Sequence, residues 1–560
     1  MGSFEDCPAG TDQPRQIAIR DGMDYKLSIK AASDSIMLAR SCARCTTKLR
    51  TASFRPRISS ARVQTRQYAM PAGGGGAPAS NSNGAGALAP FVTELDRLAP
   101  SFDIRGEQIR IIQTPAQFYE TLKDRIRKAK KRIFLSTLYI GKSEKELIET
   151  LQESLRNNPD VKLSILTDAL RGTREAPNPS SASLLAPLVQ EFGADRVEIR
   201  MYHTPNLTGL RKKYIPTRIN EGWGLQHMKL YGVDDEIIMS GANLSTDYFT
   251  NRQDRYHLFS SKEVTDHFWN IHSGVTSFSF LVQPSKEQAG FTLSWPENNS
   301  APSPLEKPES FIKSTTSTLQ TLLHPKSKPE SDISDTRVYM LGQMSQVMKP
   351  DTSTELPIIT HILKTLALPA YRESSWTFTA GYFNPAPSLT KLLLGTASSS
   401  NTVITASPEA NGFYKSKGVS GLLPDAYTLL ARRFVHRVHH EGRDNDITLK
   451  EWRHGVVGQP GGWTYHAKGL WVTMPGDKNP AMSIIGSSNY TKRSYSHDLE
   501  AGALIVTRDE GLKTRLGEEQ LWLQEHATKA TRDDFAKTER RVGLKVRVAM
   551  WIVSLVGGAL

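Results

Sequence analysis

The chain has 560 residues, of which 38% are hydrophobic and 23% charged, and its formal net charge is +13 at pH 7. This length allows two or three domains with substantial cores, and no stretch approaches the roughly 20 consecutive apolar residues of a membrane span. The excess of basic residues favours anionic partners such as nucleic acid, phospholipid headgroups or phosphorylated substrates.

The first 68 residues are predicted to be a mitochondrial targeting leader. They carry 12 Lys/Arg against 6 Asp/Glu, and no acidic residue occurs between Ser35 and Thr93. Leaders that are rich in Arg and Ser and poor in acids are typical of mitochondrial transit peptides; a disordered basic tail is the alternative. The three cysteines, Cys7, Cys42 and Cys45, all lie in this leader. The rest of the chain therefore has no thiolate nucleophile, disulfide or cysteine metal site.

Residues 69–98 are predicted to form a disordered linker, because Pro71 to Pro90 is rich in Gly, Ala, Asn and Pro. The first folded half is placed at 99–285. Its apolar patterns predict a helix over 115–131, a strand over 132–140, a helix over 144–157 and a strand over 161–168. Strands that alternate with helices indicate an α/β unit whose sheet is covered on both faces.

Residues 286–336, rich in Pro, Ser, Lys and Glu, are predicted to be a connector or insertion. The earlier order of elements then recurs in a second half, placed at 337–535. The pattern predicts helices over 357–368, near Leu389 and over 425–438, with strands over 376–383 and 401–406. This recurrence predicts an internal duplication.

Two short stretches repeat one chemical arrangement, Gln226-His227-Met228-Lys229 and Tyr465-His466-Ala467-Lys468. A turn that contains Gly, Ser and Asn follows each, ending at Asn243 in the first half and at Asn489 in the second. In a strand, residues two apart project to the same side, so each His would lie beside its Lys. A histidine next to a fixed cation and an amide donor suits chemistry at a phosphodiester.

An acidic residue follows each of these asparagines at the same distance. Asp254 lies eleven residues after Asn243, and Glu500 lies eleven residues after Asn489. Each carboxylate could accept a hydrogen bond from an imidazole Nδ1–H and fix its tautomer. Solvated surface carboxylates are the alternative interpretation.

These residues resemble the phospholipase D superfamily, whose signature is His-x-Lys-x4-Asp followed by a Gly-Ser-x-Asn turn. His227, Lys229 and Asp234 match the signature in full, whereas the second half has Thr473 at the Asp position and its nearest acid is Asp477. Over roughly residues 100 to 535 the chain resembles mitochondrial phosphatidylglycerophosphate synthases. The runs that carry this likeness are 224–229, 240–245, 248–256, 406–413 and 463–471.

The resemblance implies two α-β-α sandwich halves that pack into one pseudo-twofold unit, with the active site at their interface. It also implies the substrates, CDP-diacylglycerol and glycerol 3-phosphate, and the products, phosphatidylglycerophosphate and CMP, in the committed step towards phosphatidylglycerol and cardiolipin. His227 would attack phosphorus to form a phosphohistidine, and His466 would accept the proton of the glycerol hydroxyl, although the two roles could be exchanged. Asp234 is expected to belong to the catalytic set.

The remaining polar residues have predicted roles at the phosphate. Lys229 and Lys468 would neutralise the non-bridging oxygens, and Asn243 and Asn489 would donate further hydrogen bonds. A second anionic substrate calls for extra cations. The candidates close in sequence to the signatures are Arg211, Lys212, Lys213, Arg218, Arg252, Arg255 and Arg493. No compact carboxylate cluster suggests a metal, and no cofactor is expected.

Residues 536–560 are predicted to contact an anionic membrane surface. Arg540, Arg541, Lys545 and Arg547 precede the mostly apolar stretch Val548 to Leu560. As a helix this stretch would reach roughly 20 Å, short of the roughly 30 Å hydrocarbon core, so it would lie in the interface. A helix that packs on the protein body is the alternative. The predicted location is the mitochondrial inner membrane, as a peripheral, matrix-facing protein.

Two further motifs are given less weight. Gly141-Lys142-Ser143 resembles the end of a P-loop but has Ser136 where that motif needs Gly, and the histidines near Glu441 more simply belong to the polar end of a helix. Two rival functions stay open: a phospholipase D-like hydrolase or nuclease that uses water, and a lipid-binding protein without activity. No nucleic-acid partner is expected, and the sequence leaves the oligomeric state open.

Overall fold

The computed structural model describes residues 85–215, 220–325 and 334–555. The predicted leader, the first part of the predicted linker and Arg218 lie outside these ranges. The described residues form two nine-stranded sheets and one two-stranded ladder.

The strands alternate with helices along most of the chain. The strands are β1 (Ser101–Ile104), β2 (Ile109–Ile112), β3 (Arg132–Ser136), β4 (Lys162–Asp168), β5 (Val197–Tyr202), β6 (Leu230–Val233), β7 (Glu236–Ser240), β8 (Arg252–Gln253), β9 (Tyr256–Ser260), β10 (Phe280–Pro284), β11 (Phe291–Ser294), β12 (Thr336–Gln343), β13 (Ser375–Ala380), β14 (Asn401–Ala406), β15 (Ile447–Trp452), β16 (Thr464–Tyr465), β17 (Lys468–Thr473), β18 (Met482–Gly486), β19 (Glu500–Thr507) and β20 (Ala527–Lys529). The α-helices are α1 (Ala85–Leu98), α2 (Pro115–Arg127), α3 (Lys145–Asn157), α4 (Ala169–Gly172), α5 (Ser181–Phe192), α6 (Gly209–Tyr214), α7 (Thr246–Thr250), α8 (Lys262–Thr276), α9 (Pro308–Leu323), α10 (Glu355–Thr365), α11 (Pro387–Leu394), α12 (Leu423–His440), α13 (Lys492–Ser496), α14 (Glu510–Trp522), α15 (Arg532–Ala536) and α16 (Leu544–Leu555).

The two large sheets share one topology. In the first sheet the order is β2-β9-β7-β6-β3-β4-β5-β10-β11, and in the second it is β12-β19-β18-β17-β13-β14-β15-β20, with β1 added beside β12. Each of the seven shared steps also has the same sense, because the strands at positions five to seven run parallel and the other neighbours are antiparallel. The duplicated α/β architecture that the sequence predicts is therefore the observed one.

The helices and strands predicted from periodicity lie where expected, with ends shifted by a few residues. The strand predicted over 132–140 ends at Ser136, whereas the strand over 401–406 has the predicted bounds. The buried faces follow the apolar spacing; in α3, for example, Leu147, Leu151 and Leu155 are fully buried at intervals of four.

The prediction of a disordered linker over 69–98 is wrong for its second part. Residues Ala85–Leu98 form α1, and Leu88, Phe91 and Leu95 are buried in the core of the second half. These residues recur at intervals of three and four, which is a helical apolar face. The Gly- and Pro-rich composition of the preceding residues hid this short periodic stretch.

The predicted connector over 286–336 contains regular structure in its described part. Strand β11 pairs with β10, and α9 buries Phe311 and Leu319 in the core. Residues 326–333 lie outside the described ranges.

The C-terminal helix α16 has two different faces. Val546 is buried together with Val542 against α12, and Met550 packs against the same cluster. On the other side Leu544 is 76%, Val548 45% and Trp551 65% exposed. The alternative of a helix that packs on the protein body therefore describes one face of α16, and the predicted contact with a membrane interface stays a prediction. No helix in the described ranges has the length and apolar character needed to cross a membrane.

Candidate active site

Each signature histidine sits where its own half meets the other half. The backbone N–H of His227 donates to the carbonyl of Leu499 at 2.9 Å, beside the bridge between Gln226 and Leu499. In the same way, the N–H of His466 donates to the carbonyl of Gln253 at 2.8 Å, beside the parallel ladder of β16 and β8. These two equivalent crossings fix both histidines at the junction of the halves.

The imidazoles are held crosswise by carboxylates of the opposite half. His227 Nδ1 lies 2.9 Å from Glu500 Oε2, and His466 Nδ1 lies 2.6 Å from Asp254 Oδ2. An ionised carboxylate only accepts hydrogen bonds, so Nδ1 carries the proton and Nε2 carries the lone pair. Each signature histidine therefore takes its carboxylate partner from the other half.

Each carboxylate is oriented by a further donor. Ser487 Oγ donates to Glu500 Oε2 at 2.5 Å, and the backbone N–H of Arg255 donates to Asp254 Oδ1 at 2.8 Å. Burial raises the pKa of Glu500 to about 7, and it also raises the pKa of Asp254. The nearby Lys229 and Lys468 ammonium groups act in the opposite direction.

The two lysines bring positive charge to the same place. Lys229 Nζ donates to the carbonyl of His227 at 2.6 Å, and Lys468 Nζ donates to the carbonyl of His466 at 2.7 Å. Burial lowers the pKa of Lys229 to about 7 and that of Lys468 to about 8. The Lys468 side chain packs against Gly241 of the other half. A Cβ added at position 241 would lie only 2.5 Å from Lys468 Cδ, so this close approach requires glycine.

Both histidines are poised as neutral bases. Burial lowers the pKa of His227 and of His466 well below the usual range, and the adjacent lysine lowers each further. His227 is 8% and His466 is 4% exposed, and the charge of His227 acts on His466. A neutral imidazole with a free Nε2 lone pair can attack phosphorus or accept a proton.

The two asparagines are used differently. Asn243 Nδ2 donates to Tyr248 Oη at 3.1 Å, a contact within the protein. The Oδ1 atoms of Asn243 and of Asn489 are buried and have no hydrogen-bond partner among the described residues. Both side-chain amides therefore keep an unused acceptor in the site, to which a substrate hydroxyl group can donate.

Asp234 does not belong to the catalytic set. It lies in the hairpin turn between β6 and β7 with φ 52°, and its carboxylate accepts from the backbone N–H groups of residues 130, 131 and 132 at 2.8, 2.8 and 3.1 Å. Its own carbonyl accepts from the Arg132 guanidinium. All of these contacts lie at the far end of the strand, so the signature Asp fixes the hairpin. In the second half Asp477 pairs with Lys513 at 3.2 Å.

Two of the predicted substrate-binding cations lie in the site. Arg252 pairs with Asp247 at 2.7 Å and donates to Tyr248 Oη at 3.1 Å. Burial and the Lys468 charge are the two largest causes that lower the pKa of His466, and the Arg252 charge is the third. Arg493 pairs with Asp498 at 3.0 Å, and its charge acts on His227.

The other predicted cations lie elsewhere. Arg255 is fully buried in a bidentate pair with Glu519, at 2.9 and 2.8 Å, so its prediction as a substrate ligand is wrong. Arg211, Lys212 and Lys213 lie on α6 and are exposed, with no contact to the two histidines among the described residues.

The sequence interpretation missed several residues of this site. Tyr248 and Tyr382 pack edge-on against the His466 ring, with centroid distances of 5.1 and 5.3 Å. Asp247 and Asp498 form the ion pairs described above. Aligning the sequence at Asn243 with that at Asn489 would have singled out both acids. Asp247 then corresponds to Arg493 and Arg252 to Asp498, so acid and arginine exchange places between the halves.

A cavity of about 480 Å³ adjoins this region. Tyr139, Arg171, Ser245 and Asp247 contribute to its wall, so Asp247 links the cavity to the arginine beside His466. The Gly141-Lys142-Ser143 run also lines it. Within the described ranges, no group of three or more His, Cys, Asp or Glu side chains is placed to hold a metal ion.

Comparison with known proteins agrees with this geometry. Residues 122–274 match the family model described as cardiolipin synthase, PLD-like domain. The phosphatidylserine synthase of Haemophilus influenzae has a similar fold, with a TM-score of 0.64 at 19% identity over 84% of this chain and 97% of that chain. Fold and site together define a phospholipase D-like protein with two histidine half-sites.

Two proteins of similar sequence identify the family within this class more narrowly. The CDP-diacylglycerol--glycerol-3-phosphate 3-phosphatidyltransferase of Saccharomyces pastorianus is 44% identical over 461 residues, which cover 80% of this chain and 88% of the relative. The Homo sapiens protein with this name and the designation mitochondrial is 34% identical over 81% of this chain and 84% of its own length. The chain belongs to the family of CDP-diacylglycerol--glycerol-3-phosphate 3-phosphatidyltransferases.

Proposed function

We propose that this protein transfers the phosphatidyl group of CDP-diacylglycerol to glycerol 3-phosphate and releases CMP. The observation that carries this proposal is the crosswise pairing of His227 with Glu500 and of His466 with Asp254 at the junction of the halves. The names of the relatives supply the two substrates.

The first step is attack on the phosphatidyl phosphorus. Nε2 of a neutral imidazole forms a P–N bond while the P–O bond to CMP breaks, and CMP leaves as a weakly basic phosphate. Glu500 stabilises the positive charge that develops on the His227 ring, through Nδ1. The two lysines neutralise the non-bridging oxygens, a role that divalent cations play in many phosphoryl transferases.

The second step transfers the group to the acceptor. The glycerol hydroxyl of glycerol 3-phosphate attacks phosphorus, the P–N bond breaks, and the hydroxyl proton passes to the other imidazole. Arg252 and Arg493 supply positive charge for the phosphate of the acceptor, although both already have a carboxylate partner. A buried site that excludes water favours transfer over hydrolysis.

An activity assay with and without the acceptor, glycerol 3-phosphate, distinguishes a transferase from a hydrolase. The purified protein is incubated with CDP-diacylglycerol in mixed micelles, and CMP and lipid products are measured with and without glycerol 3-phosphate. We expect phosphatidylglycerophosphate, and multiple-turnover CMP release only when the acceptor is present. Release that is insensitive to the acceptor, with phosphatidic acid as product, would identify a hydrolase.

Substitution of the histidines separates an enzyme from a binding protein. We expect His227→Ala and His466→Ala each to lower kcat by at least about 10³-fold, since residues that act as one unit are each essential. The exposed His439, which pairs with Asp444 on the surface, provides the matched control H439A. Unchanged activity in both histidine variants would leave the lipid-binding interpretation.

The membrane location is part of this proposal. A diacyl substrate requires contact with a lipid surface, and the outward side chains of α16, Leu544, Val548 and Trp551, offer an apolar face beside Lys545 and Arg547. Such a face binds at the interface of an anionic bilayer. Together with the mitochondrial designation of the relatives, this favours a peripheral, matrix-facing protein of the mitochondrial inner membrane.

A further inference from the structure

The two imidazoles have unequal partners at Nε2. Tyr248 Oη lies 3.4 Å from Nε2 of His466, and its ring packs edge-on against that imidazole. No hydrogen bond of the described residues reaches Nε2 of His227. When the halves are superposed at Asn243 and Asn489, the position of Tyr248 is occupied by Ser494, so this tyrosine has no counterpart in the second half.

The hydrogen bonds around the phenol define where its proton points. Asn243 Nδ2 and Arg252 Nη1 both lie 3.1 Å from Tyr248 Oη, and both can only donate to it. The single phenolic proton is therefore left for a third partner. Nε2 of His466 is an acceptor, because the Nδ1 proton of that ring faces Asp254 at 2.6 Å. The Lys468 ammonium also approaches this ring, with Nζ 2.7 Å from Nδ1 and 3.2 Å from Nε2.

The asparagine, the tyrosine and the arginine form one hydrogen-bonded unit around α7: Asn243 precedes the helix, Tyr248 lies on it and Arg252 follows it. Arg252 lies over the Tyr248 ring with its guanidinium carbon 4.5 Å from the centroid, and it donates through Nε to Thr464 Oγ1 at 3.1 Å. Tyr248 itself is 3% exposed. Its hydroxyl is thereby held in place by the buried Asn243 and the half-buried Arg252.

We propose that Tyr248 is a positioning residue that assigns different tasks to the two histidines, keeping His466 for proton transfer and leaving His227 as the nucleophile. This inference rests on the proposed phosphatidyl transfer. In the resting site the Tyr248 hydroxyl and the Lys468 ammonium both approach Nε2 of His466, at 3.4 and 3.2 Å, and together they occupy the lone pair that would otherwise attack phosphorus. The lone pair of His227 has no such partner and is available.

The contact at 3.4 Å is long for an O–H···N hydrogen bond, so an incoming hydroxyl can replace it. In the second step the O–H bond of the acceptor breaks and an N–H bond forms at Nε2 of His466. At the same time the acceptor oxygen bonds to phosphorus and the P–N bond to His227 breaks. Tyr248 keeps the His466 ring in the plane that this transfer requires, and Asp254 stabilises the resulting imidazolium.

Single-turnover kinetics of Tyr248→Phe test this assignment. CMP formed without acceptor reports the first step, and phosphatidylglycerophosphate formed after addition of glycerol 3-phosphate reports the second. In Y248F the ring loses the hydrogen bonds from Asn243 and Arg252 that hold it against the His466 imidazole. We therefore expect the CMP burst to stay within about 2-fold of wild type and transfer to the acceptor to slow by about 10- to 100-fold, the range of an impaired proton transfer. Equal loss in both steps, or no loss in either, would overturn the proposal.

Tyr495→Phe is the matched control. Tyr495 lies on α13 at the position that corresponds to Phe249, and its buried hydroxyl has no hydrogen-bond partner among the described residues. We expect both steps to stay at the wild-type rate in this variant, and a loss equal to that of Y248F would also overturn the proposal. Thermal unfolding of both variants checks that the fold is retained.

A second readout works without any lipid. Diethyl pyrocarbonate modifies neutral imidazole nitrogens, and peptide mass spectrometry reports the rate at each histidine. We expect His227 to react faster than His466 in wild type, and His466 to react several-fold faster in Y248F. An unchanged rate at His466 would contradict the contact with Tyr248. If wild type releases no CMP, the proposed function fails, whereas the modification rates still decide the role of the tyrosine.

Discussion

At the scale of single residues, the site is a crosswise assembly of two similar but unequal halves. Each histidine depends on a carboxylate from the other half, and each half supplies one ion pair next to the site with acid and arginine exchanged. Burial lowers the pKa of both imidazoles; Arg252 lowers the pKa of His466 further, whereas at His227 the Asp498 carboxylate partly opposes this lowering. Sequence duplication thus gives two sites of similar geometry and different electrostatics, which is what two different tasks require.

The titrating groups of the site predict a bell-shaped pH dependence. Burial raises the pKa of Glu500 to about 7, so below that pH it becomes protonated and can no longer stabilise an imidazolium. Burial lowers the pKa of Lys229 to about 7 and of Lys468 to about 8, so above these values the charge that binds phosphate is lost. We expect kcat/KM to fall on both sides of a maximum between about pH 7 and 8.

Glu500→Gln tests the acidic limb of this profile. An amide at this position does not titrate and holds the imidazole poorly, so we expect kcat to fall by about 10²- to 10⁴-fold and the acidic limb to disappear. Lys229 has the lower of the two lysine pKa values, about 7, so it loses its charge first as the pH rises. Lys229→Arg retains that charge and should move the alkaline limb towards the pKa of Lys468, about 8, at some cost in geometry. A pH profile that is flat between pH 6 and 9 in the wild-type protein would contradict the assignment.

At the scale of helices and strands, local patterns predicted most of what the structure contains. The strand over 401–406 and the helix that begins near Glu144 follow from alternation and from a period of 3.6, which depend on neighbouring residues alone. Local patterns do not predict the different roles of Arg252 and Arg255. These residues are only three apart, yet Arg252 lies beside Tyr248 in the site and Arg255 is buried against Glu519. Which of them lies beside His466 depends on the packing of the other half, which no local pattern records.

The signature Asp234 illustrates the same limit, and its structural role can be measured. Asp234→Ala removes the acceptor of three backbone N–H groups, and we expect the free energy of unfolding to fall by about 1–3 kcal/mol. Asp234→Gly should lose less, because φ of 52° suits glycine. The exposed neighbour provides the control D235A. Loss of kcat in D234A without loss of stability, measured by denaturant unfolding, would show that the residue is catalytic.

At the scale of the whole molecule, a buried ion pair joins the two halves behind the site. Arg255 on the first half pairs with Glu519 on α14 and also donates to the carbonyl of Ile484 at 2.6 Å. Glu519 accepts from Trp471 Nε1 at 3.0 Å, and His257 Nε2 lies 2.9 Å from it. These contacts stand next to β17, which carries Lys468, and next to Asp254, which lies between β8 and β9. The junction that positions the imidazoles is therefore itself fixed by charge.

Arg255→Met tests this junction. It leaves a buried carboxylate with only His257 and Trp471 as partners, and we expect the free energy of unfolding to fall by about 3–5 kcal/mol. Exposed Arg211 provides the control R211M, which should stay within about 0.5 kcal/mol of wild type. Denaturant unfolding measures both. Wild-type stability in R255M, together with a raised KM for glycerol 3-phosphate, would restore the substrate-binding role that the sequence predicted.

The C-terminal face is testable by membrane binding. The triple change L544S/V548S/W551S removes the outward apolar side chains of α16, and we expect partition onto anionic vesicles to fall by about 10- to 100-fold. Leu521 on α14 is 71% exposed, so L521S is the control for losing one exposed leucine elsewhere. Vesicle co-sedimentation measures both. Equal binding of the triple variant and wild type would mean that another surface contacts the membrane.

The stereochemical course at phosphorus tests the central claim, which is that two imidazoles from different halves act in turn on one phosphorus atom. The reaction is run with CDP-diacylglycerol that is chiral at the phosphatidyl phosphorus through isotopic oxygen or sulfur, and the configuration of the product is determined. Two successive in-line displacements through a phosphohistidine predict retention of configuration. Inversion would mean that the acceptor attacks CDP-diacylglycerol directly, and would contradict the account.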